Sequence, residues 1–288
     1  MEPRLNYFII FFCCIIIIRC SGDKEAASPD DGLANNPPII NNQVFTVSEI
    51  IDNTAVIGEV IANDPDNDPL VFSIKTNSDN LFEISSLGIL KLGNNQRLDF
   101  DKTSKHQIII EVSDGLSNSE ATIEINVEDS RPFITTWITT EPNEEIFIRT
   151  RESEFTYDYR ISWGDGTTEI YNGDASHSYL TPGEYKISIK GVFPAIYFGN
   201  IIISQDKIHS IDQWGDIEWK TMESAFSNCE NLTINATDAP NLESTSDLSF
   251  MFSQDSSLNG NLNNWDVSGI ENMSGMFAGA TSQLLISP

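Results

Sequence analysis

Basic residues are scarce in this chain: 16 Lys and Arg stand against 43 Asp and Glu among 288 residues, a formal charge of -27 at pH 7. A surface that acidic repels polyanions at physiological salt, so no nucleic-acid partner is expected. Cysteine is nearly absent from the body of the chain. Cys13, Cys14 and Cys20 fall near the start and leave Cys229 alone. No intramolecular disulfide framework can be built from that set, and Cys229, in an apolar periodic context, is expected to be a small buried core residue. Histidine is limited to His106, His177 and His209, far apart in sequence, and the H-E-x-x-H, G-x-S-x-G, C-x-x-C and phosphate-loop patterns are missing. With no nucleophile nominated beside a base, no enzymatic activity is expected.

Long apolar runs are missing too. The longest, Phe8 to Ile18, has eleven residues, about half of the roughly twenty that a membrane-spanning helix needs. Arg4 precedes it and Arg19-Cys20-Ser21-Gly22-Asp23 follows. A short apolar segment ending at a cysteine resembles a bacterial lipoprotein signal. That resemblance implies removal of residues 1–19, acylation of Cys20, and lipid anchoring at the cell outer membrane or cell surface, facing outward. The acyl chains would then be the only contact with the membrane. Residues 20–38, rich in Ser, Gly, Asp, Asn and Pro, have little to bury and read as a flexible tether.

What the chain does contain, from residue 39 to 129, is a set of short alternating or β-branched runs separated by Asn, Asp and Gly turns. Val44 to Val47, Leu70 to Ile74, His106 to Val112 and Ala121 to Val127 are examples. Strands at this spacing predict an antiparallel β-sandwich. Its carboxylates fall in the loops: Asp64, Asp66 and Asp68 in one, Asp99 and Asp101 in another, Asp114 at the close of a strand, and Glu49 after the first. Loops gather at the two ends of a sandwich, where clustered carboxylates repel unless a cation lies between them. Calcium, with six to eight oxygen ligands, is the expected ion. An EF-hand fails, because Pro69 stands where its loop needs glycine and Lys75 where it needs glutamate.

These residues, in this order, resemble a cadherin repeat, with Asn35-Asn36-Pro37-Pro38 similar to the linker that precedes one. The resemblance implies Ca2+ held by Asn36, Asp64, Asp66 and Asp114 at the N-terminal end. At the C-terminal end the implied ligands are Glu49, Asp99, Asp101 and Asp129. Cadherin calcium sits between successive repeats, and only one repeat stands here, so at least one cage is expected to be incomplete.

Residues 132–203 carry Trp163-Gly164-Asp165-Gly166, then His177-Ser178-Tyr179, then Pro182-Gly183-Glu184-Tyr185. Asp165-Gly166 suits a tight hairpin turn and Pro182-Gly183 a type II turn. The three elements resemble a PKD domain, an immunoglobulin-like sandwich, which implies structural roles for Trp163, Asp165 and His177. Over residues 206–288 a period of about 25 emerges: Phe226, Phe252 and Phe277 are 26 and 25 residues apart, each preceded by similar apolar residues. Such a period predicts stacked units that bury one face against the next. The unit Trp265 to Phe277 resembles the repeat of bacterial surface-antigen lipoproteins, which implies a leucine-rich-repeat-like solenoid. The pattern stops without a polar cap, and further repeats are expected in intact relatives.

The expected fold is therefore mainly β: two tandem β-sandwich modules, cadherin-like then PKD/Ig-like, followed by a short leucine-rich-repeat-like solenoid. The expected function is that of a calcium-binding surface lipoprotein in adhesion or protein–protein contact, its partner an extracellular protein or glycan. A second expectation is non-catalytic polysaccharide binding on the PKD-like or repeat face, with Trp137, Trp214 and Trp219 expected as buried core rather than as stacking platforms.

Overall fold

The computed structural model describes residues 34–51, 54–199, 204–281 and 283–285. The signal-like segment, Cys20 and nearly all of the tether lie outside them. All regular structure among the described residues is strand, and none of it is a helix able to cross a membrane. Asn36–Pro288 forms one compact unit.

The first sandwich holds β1 (Ile39–Ile40), β2 (Gln43–Ser48), β3 (Val56–Glu59), β4 (Ala62–Asn63), β5 (Val71–Thr76), β6 (Phe82–Ile84), β7 (Ile89–Leu92), β8 (Lys105–Ser113) and β9 (Asn118–Glu128). Alternation in the sequence decides which side faces in. In β8 the residues His106, Ile108, Ile110 and Val112 are buried, and in β9 Ala121, Ile123, Ile125 and Val127. The main sheet runs β2-β9-β8-β5, with β2 parallel to β9, and faces a sheet ordered β3-β7-β6. Phe82, Leu90 and Leu92 from the smaller sheet close the core against Ile108, Ile110, Ile123 and Ile125, each buried side chain contributing about 1.5–3 kcal/mol.

The second sandwich holds β10 (Phe133–Thr139), β11 (Glu144–Ile148), β12 (Asp158–Ser162), β13 (Thr168–Tyr171), β14 (Ala175–Tyr179) and β15 (Gly183–Val192). Strands β13-β12-β15-β10 form one sheet, and β11 pairs with β14 beside it. The Asp165-Gly166 turn joins β12 to β13, with Gly164 and Gly166 at φ of 85° and 97°, where a side chain would be strained. The sheet does not end at β10. Its other edge pairs antiparallel with β16 (Ile208–Gln213), which in turn pairs parallel with β17 (Thr233–Ile234).

From β16 onward the chain winds in rungs, and the expected period is visible in the hydrogen bonds. Met222, Ser224, Phe226 and Asn228 donate their N–H groups to the carbonyls of Asp247, Ser249, Met251 and Ser253. Leu248, Phe250, Phe252 and Gln254 repeat the pattern toward Asn272, Ser274, Met276 and Ala278. Phe226 stacks on Phe252 with ring centroids 5.8 Å apart, and Phe252 on Phe277 at 6.0 Å. Strands β18 (Asn259–Asn261) and β19 (Gln283–Leu285) pair in parallel at the last rung. One apolar core runs without a break from Phe133 to Met276, so the second sandwich and the rungs are packed as a single body.

Candidate functional site

The expected ligands separate into two groups with different chemistry. At one end of the first sandwich, the segment between β4 and β5 is turned on the carboxylate of Asp64. Its Oδ1 accepts the N–H groups of Asp66 at 2.8 Å and Asp68 at 3.1 Å, and Asn67 adopts the left-handed conformation, φ 63°. Asp64, Asp66 and Asp68 thereby offer one oxygen each, all within 4.8 Å of one another. That span is about twice a calcium–oxygen bond of roughly 2.3–2.6 Å. Asn36 is held here as well, its backbone N–H and its Nδ2 donating to the two oxygens of Asp66 at 2.7 and 3.0 Å. Asp64 is 5% exposed, and its Oδ2 has no hydrogen-bond partner among the described residues. A buried carboxylate oxygen with no donor costs stability unless a cation meets it, so these residues fit a hard divalent ion. Asp68 belongs to the group although the cadherin resemblance did not include it. Asp114 spends its Oδ1 on the N–H groups of Leu116 and Ser117, at 2.7 and 2.6 Å, in the β8–β9 hairpin.

At the other end Glu49, Asp99, Asp101 and Asp129 do converge, but on two cations of the chain. Arg160 of β12 and Lys190 of β15 are directly opposed across those strands. Lys190 Nζ lies 2.8 Å from Glu49 Oε1 and 2.8 Å from Asp129 Oδ1. Arg160 pairs with Asp99, lies 3.7 Å from Glu49 Oε2, and shares Asp101 with Lys190 at 4.0 Å. Glu49 also accepts the Ser130 N–H and hydroxyl on Oε1 and the Phe100 N–H on Oε2. Burial works to raise the Glu49 carboxyl, but the Lys190 ammonium and these donors outweigh it and hold it down at about 2. Both Glu49 oxygens are spent, so this end does not fit a metal as it stands. Sequence reading missed Arg160 and Lys190 because nothing in their own neighbourhood marks them. Only the strand pairing brings two like charges face to face, and that arrangement demands acids.

The second sandwich uses its motif residues on itself. Asp165 Oδ1 accepts from the N–H and hydroxyl of Thr167, its Oδ2 meets His177 Nε2 at 2.7 Å, and the His177 ring stacks on the fully buried Trp163 at 5.1 Å. Trp137, Trp214 and Trp219 are 0% exposed. They serve as core, Phe133 lying 5.8 Å from Trp214 and 5.2 Å from Trp219, and none of the three can be a stacking platform. Cys229 is buried, as its apolar periodic context implied.

Comparison with known proteins matches two segments of the chain. A family model described as Bacterial Ig domain matches residues 35–128, and one described as Mycoplasma protein of unknown function, DUF285, matches residues 198–284. The chain is 32% identical over 111 residues to cadherin-related family member 2 of Mus musculus, which is 38% of this chain and 8% of that protein. Among solved structures, human protocadherin-24 EC1-2 is similar with a TM-score of 0.28 at 18% identity, over 47% of this chain and 77% of that one. The third cadherin domain of human protocadherin 7 gives 0.30 at 17%, over 35% and 94%. The matched segment coincides with the first sandwich, so residues 35–128 are similar to a bacterial Ig domain, and all regular structure among the described residues is strand.

Proposed function

We propose that the chain is a calcium-binding, lipid-anchored cell-surface protein acting in adhesion or protein–protein contact. The observation that carries this reading is the buried Oδ2 of Asp64, unpartnered among the described residues, beside Asp66 and Asp68 at the tip of an Ig/cadherin-like sandwich. Those three carboxylates would hold the ion, with Asn36 orienting Asp66. Bound calcium would neutralise the cluster and tie the chain entering β1 to the β4–β5 loop. The remaining modules have scaffold roles: a PKD-like sandwich, then solenoid coils of the leucine-rich-repeat kind whose outer surface meets the partner. Cys20 carries the anchor, and the chain performs no catalysis. Trp137, Trp214 and Trp219, being buried, give the alternative polysaccharide reading no stacking platform.

Thermal unfolding of the full chain tests the calcium step. Calcium at a hundredfold excess over its dissociation constant is expected to add about 2.7 kcal/mol to the folded state. Asp64→Ala with Asp66→Ala is expected to abolish that gain. An unfolding midpoint that does not move up to millimolar calcium overturns the reading.

A further inference from the structure

The four acids at the C-terminal end of the first sandwich face two basic side chains of the second. Arg160 and Lys190 are opposed partners on β12 and β15, and like charges so placed repel unless anions lie between and above them. The anions come from the other module: Glu49 after β2, Asp99 and Asp101 after β7, and Asp129 after β9. Lys102 adds a third positive charge, 3.0 Å from Asp99 Oδ2. Four carboxylates thus face three cations, and a divalent ion placed among them would meet fixed positive charge at close range.

The same boundary carries a pair of opposite polarity. Arg97 of the first sandwich pairs with Asp158 at the start of β12. Positive charge therefore points both ways across the boundary, and sliding one module against the other would bring like charges together. The Glu49–Lys190 and Asp99–Arg160 pairs are shielded, the side chains of Glu49, Lys190 and Asp99 being 3%, 16% and 16% exposed, whereas Asp101 and Asp129 lie at the solvent edge. At the shielded pairs, removing one partner costs far more than at an exposed pair.

We propose that the Arg160 guanidinium and the Lys190 ammonium stand in the place of a divalent ion at the junction of the two sandwiches, locking the modules together at any calcium concentration. The chain supplies its own cation where a tandem sandwich would borrow one from solution. Asp99 Oδ1 has no hydrogen-bond partner among the described residues and borders a cavity of about 170 Å³ that Glu49, Arg160 and Lys190 also line. With both basic side chains neutralised, that oxygen, the cavity and the four carboxylates form a site a divalent ion can enter.

Hydrogen exchange on the full chain tests this locally, because the N–H groups of Phe100 and Ser130 are bonded to Glu49. In the unaltered chain their protection is expected to be the same with a chelator as with millimolar calcium. In Arg160→Gln with Lys190→Gln the two amides are expected to exchange about tenfold faster or more in chelator, and calcium is expected to restore much of the protection. Loss of protection at Phe100 and Ser130 on chelation of the unaltered chain overturns the proposal, and that measurement needs no variant. Unchanged protection in the double variant under chelator overturns it as well. Exchange in the 64–68 loop reports separately on calcium binding there, so the two readings fail independently.

Discussion

Asp255 is the side chain whose charge is hardest to accommodate. It is fully buried between rungs, its Oδ1 accepts the Cys229 N–H at 2.8 Å, and its Oδ2 has no partner among the described residues. Burial pushes its carboxyl up to about 8, the Cys229 N–H pulls the other way, and the charge of Glu230 adds to the rise. The folded chain therefore keeps this proton over a range in which the unfolded chain has released it. Stability from this group is complete below about pH 4, falls as pH rises toward about 8, and is level beyond. Asp255→Asn is expected to flatten that slope and raise the melting temperature at pH 8, measured by thermal unfolding across pH. An unchanged slope would mean that the group is not protonated when folded. The sequence offered no sign of this residue, because a lone aspartate in a loop looks like any turn cap until the rungs are stacked. Asn36, Asp64 and Asp66 were legible for the opposite reason: a short Asp- and Pro-rich stretch fixes its own turn, and the segment before β1 needs only to reach it.

Within the rungs, the element repeats its backbone strain as faithfully as its apolar residues. Two residues before each stacked phenylalanine stand Ser224, Phe250 and Gly275, with φ of 54°, 54° and 65°, and two residues after stand Asn228, Gln254 and Gly279, with 64°, 65° and 74°. Each rung thus makes two left-handed corners, which non-glycine residues adopt at a cost of about 1–3 kcal/mol. Gly275 has a second reason to be glycine: a Cβ there would lie 2.5 Å from the Phe250 ring. Gly275→Ala is expected to destabilise the rungs by about 1 kcal/mol or more, read from denaturant unfolding, whereas Gln254→Gly, which relieves a strained corner, should leave stability unchanged or raised. The period itself was legible because phenylalanines recur every 25 or 26 residues. The corners were not, since three different residue types share each position.

Over the whole molecule, the sequence announced three modules, yet the boundary between the second and third is not a gap in packing. β10 takes β15 on one edge and β16 on the other, and the core beneath runs from Phe133 to Met276. Alternation along each strand is a local signal, whereas the sharing of one sheet by distant segments is a matter of pairing that no period reveals. Calorimetry is expected to show residues 132–281 unfolding in one cooperative transition, and Trp214→Ala is expected to lower that transition as a whole. A separate early melt of the rungs alone would contradict it. The first sandwich, which has a separate apolar core and meets this body through ion pairs, is expected to respond to added salt more than the second does.

The burial of Cys229 bears on where such a chain can live. Its Sγ is sealed beneath the rungs and its thiol is pushed well above the usual range, chiefly by burial. The reactive thiolate is thereby suppressed, so oxidants and passing disulfides find no accessible thiol in residues 34–281. The folded body can face an oxidising exterior without a reductant and without a cross-link of its own.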